Sequence, residues 1–373
     1  MFRKLINNGS YQKRIRFKAL FNQERKNYCK SAKNSYPKRI FSGIQPTGNV
    51  HLGNYLGAIQ NWVELQNSGQ NVIWSIVDLH AITLPQDPKT LEKGIFSMVA
   101  TLLACGVDPE KSILFQQSTV PLHTELNWIL SSITTMPRLS RLPQFKEKSQ
   151  NVKEVPVALF NYPILQAADI LIYKATHVPV GEDQIQHLEL SQDLARKFNQ
   201  KFGDTFPFPE TIINDEAKRI KSLRDPTNKM SKSCPDPKSR LDITDSPDIL
   251  LKKVKKSVTD FTSQVTYDPD NRPGISNLIK IHSLLTGKST EEICQEAEGI
   301  DTGKYKLILA DIVIEKLNPI RERYLQLTAD SQYLEKVLRD GAQKASEIAI
   351  PNLLDVRAKI GFSDKLRFKI VYS

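Results

Sequence analysis

Asn71-Val72-Ile73-Trp74-Ser75-Ile76-Val77-Asp78-Leu79 is an apolar, β-branched run interrupted only by Ser75 before its polar end. A strand with one wet face would alternate apolar and polar residues. A strand buried on both faces reads like this one. Upstream, Arg39–Gln45 reads as another strand, and Pro46-Thr47-Gly48 turns the chain. Gly53–Leu65 then carries apolar residues at helical spacing: Tyr55, Leu56, Ile59, Trp62 and Val63. Downstream, Pro88–Cys105 reads as a helix stopped by Gly106, Ser112–Thr119 as a strand and Leu122–Ile133 as a helix. Strands alternating with helices predict a Rossmann-like α/β domain: a parallel sheet with crossover helices.

The rhythm breaks at Met136–Asn151, which holds two prolines and four cations (Arg138, Arg141, Lys146, Lys148) and reads as an insertion on the sheet rim. Val155–Tyr173 is expected to be mostly helical despite Pro163, His177–Val180 a strand, and Gly181-Glu182-Asp183 the entry to a helix through Phe202. From Asn277 on, five helical segments are expected: Asn277–Leu285, Thr290–Glu298, Lys304–Leu317, Arg321–Thr328 and Gln332–Glu347. These divide the chain into a leader (1–36), an α/β domain (37–243) and an all-helical C-terminal domain (244–373).

The net charge is +11 over 373 residues. Residues 1–39 hold twelve Lys/Arg and one acid, Glu24, which accounts for all of it; the rest balances at 40 of each sign. An Arg/Lys-rich, nearly acid-free leader with scattered apolar residues predicts a mitochondrial targeting segment, removed on import, and hence a matrix location. A basic arm touching RNA is the alternative. No apolar run approaches about 18 residues, so no transmembrane helix and no membrane partner are expected. Cys29, Cys105, Cys234 and Cys294 have no C-x-x-C spacing, so they are expected as reduced thiols with no structural metal.

Two distant motifs carry the chemistry. Thr47-Gly48-Asn49-Val50-His51-Leu52-Gly53-Asn54 is a Gly-punctuated turn entering a helix. At the carboxyl edge of a parallel sheet, such a turn offers free N–H groups and a helix dipole to phosphate, and His51 and Asn54 can donate hydrogen bonds. It is neither G-x-G-x-x-G nor a P-loop, which demotes dehydrogenases and P-loop NTPases. Lys229-Met230-Ser231-Lys232-Ser233, bracketed by Pro226 and Pro235, reads as an exposed, mobile loop. Two ammonium groups there can tighten on a pyrophosphate as it leaves. Taken singly, each motif has a plain alternative: an ordinary turn, and a solvated charge pair.

Together with Tyr162–Asp169 (YPILQAAD) and Val180–Leu190 (VGEDQIQHLEL), these motifs occur in the order found in class I tryptophanyl-tRNA synthetases. The chain resembles their bacterial and mitochondrial type from about Ile40 to near Gln343, and the resemblance implies the class I synthetase catalytic fold. HLGN resembles the HIGH signature with Asn54 at its last position. The resemblance implies that Gln45, Pro46, Thr47, Gly53 and Asn54 line an ATP site, with His51 on the phosphates. Gly181, Glu182 and Asp183 would hold the ribose, and Ile220 would pack by the adenine. Lys229, Met230, Ser231, Lys232 and Ser233 would close over pyrophosphate, with Lys148 a further phosphate ligand. Tyr162 and Gln184 would orient the amino acid, and Asp169 would receive the indole N–H beside Gln166, which stands where some bacterial relatives have Met. Residue chemistry supports the last point. Gln166 and Asp169 share a helix face one turn apart, a carboxylate among Ala167, Ala168, Ile170 and Leu171 needs a partner, and indole offers one donor and no acceptor.

The implied activity is tryptophan–tRNA ligation in two steps. L-tryptophan and ATP, with substrate-bound Mg2+, give tryptophanyl-adenylate, which then acylates mitochondrial tRNA-Trp, by analogy at the 2′-hydroxyl. The implied enzyme is a homodimer whose helical domain binds the anticodon. The nearest rival is a tyrosyl-tRNA synthetase, whose members tend to carry a second Gly where Glu182 stands here. A small-molecule nucleotidyltransferase and a non-catalytic RNA-binding paralogue are further from the pattern. His80, His123, His177 and His187 have no metal-ligand spacing, with His187 read as facing its own helix. Leu250–Lys256 reads as a solvated helix face, and Trp62, Trp74 and Trp128 as core residues.

Overall fold

The computed structural model describes residues 36–142, 154–181, 184–213, 220–232 and 234–362. Its centre is a five-stranded, all-parallel sheet, β1 (Ile40–Ile44), β2 (Val72–Ile76), β3 (Ile113–Gln116), β4 (His177–Val180) and β5 (Glu210–Ile213), in the order β3-β2-β1-β4-β5. Ile40 to Ile44 pair in register with Val72 to Ile76, and every residue of β2 is buried, as its unbroken apolar run requires. The strand order reverses between β1 and β4. In open α/β sheets, ligands bind in the crevice outside the carboxyl ends of the strands at that switch point.

After β1 the chain enters a short helix α1 (Leu52–Asn54), a π-helical turn (Tyr55–Ile59) and α2 (Gln60–Asn67). Trp62 of α2 stacks on Trp74 of β2 with ring centroids 4.5 Å apart and planes within 2°. Then follow α3 (Asp78–Ala81), α4 (Pro88–Ala104), a 3₁₀ turn (Gln117–Thr119), α5 (Leu122–Ser131), α6 (Met136–Leu139), α7 (Val157–Leu171) and α8 (Ile185–Phe202). Helix α4 begins at Asp87, whose side chain accepts from Thr90 N with Pro88 in the first turn, and it ends before Gly106 at φ +105°.

Beyond residue 244 the described residues form helices only: α9 (Pro247–Lys255), α10 (Pro273–Thr286), α11 (Thr290–Glu296), α12 (Thr302–Thr328) and α13 (Ser331–Lys359). They are not packed apart from the sheet. Buried residues of α12 join the core beneath β1 and β2, and Ala345, Ala349, Leu353 and Val356 of α13 join the core on the other side. Helix α13 lies along edge strand β3 so closely that a Cβ on Gly341 would sit 1.8 Å from the Leu114 carbonyl oxygen. Gly341→Ala is therefore expected to cost about 1–3 kcal/mol or more through forced separation of helix and strand. An unchanged melting temperature would refute this.

Four readings need correction. Strand β5 is absent from the sequence reading. The segments 304–317 and 321–328 are one helix through Pro319, and α13 continues through Pro351. Trp128 is 76% exposed and is not a core residue. Lys253, within the basic run of α9, is buried and paired with Asp245 at 2.5 Å, so that run is only partly a solvated face.

Candidate active site

A cavity of about 380 Å³ opens at the switch point. Its walls come from the ends of β1 (Gly43, Ile44) and β4 (Val180), with Gln45, Gly181, Ile212 of β5, Asn54 after the turn, and Lys232. His80, Tyr162, Gln166 and Asp169 also line it. A Cβ on Gly43 would lie 2.7 Å from Val77 Cγ1, so any larger residue there has to displace the Val77 side chain.

The structure brings the two distant motifs together. Lys232 Nζ donates to the Thr47 carbonyl at 3.4 Å across 185 residues of sequence. A Cβ on Gly48, at φ +65°, would be 3.8 Å from the Lys232 side chain. The histidine turn is also joined by backbone to the stretch that follows the lysine segment. Leu52 N donates to Leu241 O at 2.8 Å, Ile243 N donates to Val50 O at 3.0 Å, and His51 forms an antiparallel bridge with Asp242. The lysine segment itself is anchored, contrary to its reading as a freely exposed loop. Met230 is 2% exposed, its N–H donates to Ile220 O, and Lys229 bridges Lys221. Burial lowers the Lys232 ammonium to about 8, with Asp242 acting in the opposite sense.

His51 is buried and caps α1. Its Nδ1 accepts from Asn54 N at 3.3 Å, while Asn54 Oδ1 accepts from His51 N at 3.4 Å. Burial, then Lys232, Arg240 and Lys229, pull its pKa down to about 3, so the ring is neutral at pH 7. With Nδ1 accepting, the ring proton resides on Nε2. The imidazole is thereby fixed as a one-proton donor without charge.

Asp169 is 1% exposed and its carboxylate is held from three sides. Gln117 Nε2 donates to Oδ1 at 2.7 Å, His123 Nδ1 approaches Oδ1 at 2.6 Å, and His80 Nε2 approaches Oδ2 at 2.7 Å. The Tyr173 hydroxyl lies 2.7 Å from His123 Nε2, so it can donate to that nitrogen and leave Nδ1–H for the carboxylate. Burial alone would raise the Asp169 pKa. The hydrogen bonds from His123 and His80 outweigh it and hold the carboxyl far below the usual range. A carboxylate has about four acceptor sites, so the fourth is left on Oδ2, the oxygen bound by cavity-lining His80. His187 joins Gln184 Oε1 at 3.0 Å, at the start of its own helix, to Tyr162 Oη at 3.3 Å on α7.

Of the sequence-predicted site residues, Gln45, Asn54, Tyr162, Gln166, Asp169, Gly181, Gln184 and Lys232 line this cavity. Pro46 and Thr47 line a neighbouring hollow on the α4 side, and Gly53 is buried against the His51 ring. Lys229 is exposed and Ser231 half-buried. Ile220 is buried in the core, and the cavity takes Ile212 instead. Lys148, Glu182, Asp183, Ser233 and the leader to residue 35 lie outside the described residues. Sequence reasoning missed His80, Gln117 and His123, the clamp on Asp169. Gln117 directly follows β3, while His80 and His123 sit in the short helix after β2 and at the start of α5, all beyond the carboxyl ends of these strands, and that position was the available signal. Among the described residues, no group of His, Cys, Asp and Glu is placed to hold a metal ion, and no helix is long and apolar enough to cross a membrane.

The profile of the tRNA synthetases class I (W and Y) matches residues 33–318. The chain is 47% identical over 324 residues to the tryptophan–tRNA ligase of Caldanaerobacter subterraneus, covering 87% of this chain and 98% of that protein. It is 50% identical over 325 residues to that of Wolinella succinogenes, with the same two coverages. Among solved structures, tryptophanyl-tRNA synthetase of Campylobacter jejuni complexed with ADP and tryptophan superposes with a TM-score of 0.78 at 35% identity, over 87% of this chain and 99% of that one. A tyrosyl-tRNA synthetase from Aeropyrum pernix shares the fold at 20% identity, with a TM-score of 0.62 over 82% of this chain and 90% of that one. With its switch-point cavity, its joined histidine turn and lysine loop, and these relatives, the chain belongs to the bacterial type of class I tryptophanyl-tRNA synthetases and is an aminoacyl-tRNA ligase.

Proposed function

We propose that the chain charges mitochondrial tRNA-Trp in the matrix, acting as a homodimer on L-tryptophan and Mg-ATP. The observation that carries the catalytic part is the meeting of Lys232 Nζ, from a residue that lines the cavity, with the Thr47 carbonyl. A triphosphate seated there meets an ammonium from the lysine segment and the uncharged Nε2–H of His51. The indole N–H donates to the remaining acceptor site of Asp169, and Tyr162 and Gln184 orient the amino acid's polar end. An oxygen of the tryptophan carboxylate attacks the α-phosphorus, and the bond to the β-phosphate breaks. Charge then grows on the departing pyrophosphate, where Lys232 and Lys229 tighten. The nucleophile is already ionised, so positioning and electrostatics suffice without a protein nucleophile. In the second step a ribose hydroxyl of the terminal adenosine attacks the carbonyl carbon and AMP leaves.

The matrix placement is supported by the basic leader, since residues 1–39 account for the whole net charge. Self-association is supported by exposed apolar residues on adjoining elements: Trp128 (76%), Met136 (68%) and Val157 (82%). The test uses protein lacking residues 1–36. Amino-acid-dependent pyrophosphate exchange is measured with all twenty amino acids, followed by charging of mitochondrial tRNA. Exchange with tryptophan alone is expected, and exchange with tyrosine alone would end the assignment. A reporter fused to residues 1–36 that stays outside isolated mitochondria would end the placement.

A further inference from the structure

A second groove, of about 390 Å³, shares no lining residue with the switch-point cavity. It is lined by Lys221, Pro226, Tyr267, Ser276, Asn277 and Lys280, with Pro269 and Pro273 completing its rim. No acidic side chain is among these described lining residues. Tyr267 is 40% exposed, which leaves ring surface open to the groove. Two ammonium groups and an aromatic face in one concavity form the pair of contacts that single-stranded nucleic acid uses, phosphate neutralisation and base stacking.

The groove is also tied to the active site. Asn277 holds the Lys221 backbone from both sides, accepting from its N–H at 2.8 Å and donating to its carbonyl at 3.0 Å. Lys221 Nζ donates to the Thr227 carbonyl at 3.3 Å, and Lys221 bridges Lys229 across an antiparallel pair. Lys229 is three residues from Lys232. An extended span of three residues plus one strand pairing places the Lys221 backbone within about 16 Å of the Lys232 backbone. More cations continue outward from the groove. Arg224 Nη1 donates to the Lys256 carbonyl at 2.9 Å, next to the exposed Lys255 and Lys256 at the end of α9.

We infer that this groove binds a single-stranded nucleotide of the tRNA near its 3′ end, with the base on Tyr267 and the phosphate between Lys221 and Lys280. The inference rests on the tRNA-charging activity proposed above. Tyr267 and Lys280 do not line the switch-point cavity, so their loss separates RNA binding from adenylate chemistry.

The test compares the full chain with Tyr267→Ala, Tyr267→Phe and Lys280→Ala, using a tRNA-Trp transcript. Tryptophan-dependent pyrophosphate exchange without tRNA is expected to stay within twofold of the unsubstituted chain in all three. The KM for tRNA in charging is expected to rise about five- to tenfold in each alanine variant and to stay near normal in Tyr267→Phe. In Lys280→Ala, the slope of log affinity against log salt is expected to shrink by about 0.7, the value for one single-strand phosphate contact. An alanine variant whose KM for tRNA stays within twofold would overturn the inference. Failure of the unsubstituted chain to charge any tRNA would remove the parent activity and the groove with it. Normal charging with unmoved variants removes the groove alone.

Discussion

Lys232→Ala is expected to slow tryptophan-dependent pyrophosphate exchange by about 10²–10³-fold, the usual cost of removing one preorganised donor to transition-state charge. Tryptophan affinity is expected to stay within about twofold, because the ammonium sits against the Thr47 turn and not against the Asp169 wall. An equal loss in both quantities would contradict a role confined to the departing pyrophosphate. The pH dependence gives a second readout. The Lys232 pKa is lowered to about 8 by burial, so in the free protein its charge is present below pH 8 and is lost as pH rises through that value. The kcat/KM for ATP, which reports the free enzyme, should therefore fall above about pH 8, and that inflection should vanish in Lys232→Ala. An inflection that survives the substitution would assign the titration to another group.

Asp169→Asn is expected to lower the preference for tryptophan over phenylalanine, measured as a ratio of kcat/KM in exchange, by about 10²–10³-fold. A site built to accept a substrate N–H strongly rejects an analogue lacking it, because the acceptor is left buried and unpaired. The substitution replaces one acceptor oxygen with an NH2 that must face His80, His123 or Gln117, three groups now satisfied by the carboxylate. The clamp then either rearranges or loses a bond to a charged group, worth about 1.5–3 kcal/mol, so a lower melting temperature should accompany the change. An unchanged selectivity ratio in a destabilised protein would reduce Asp169 to a structural anchor.

The two motifs that meet at the cavity were legible because each carries its own chemistry in a few consecutive residues. The parallel sheet was legible because β2 is apolar but for Ser75, without the alternation that a half-exposed strand shows. Strand β5 was not, since its four residues follow Pro207 and Pro209 and are too few for periodicity. The expected segments stopped at Leu317 and Glu347, yet α12 and α13 run on through Pro319 and Pro351, packed against α4, α9 and β3. Packing over many turns outweighs one missing hydrogen bond. The clamp on Asp169 was beyond a linear reading. His80, Gln117 and His123 approach one carboxylate only because β2, β3 and their loops end on the same edge of the sheet. Trp128 failed for the opposite reason: helical spacing places it on an apolar stripe without saying what covers that stripe.

Gly341 marks where α13 seals the outer margin of β3. That seal is made more than two hundred residues after the strand it covers. During synthesis, β3 is an open template for pairing with any extended neighbour. A message truncated before codon 331 would leave it so permanently, and its product should partition into aggregates or proteolysis even with every substrate-facing side chain in place.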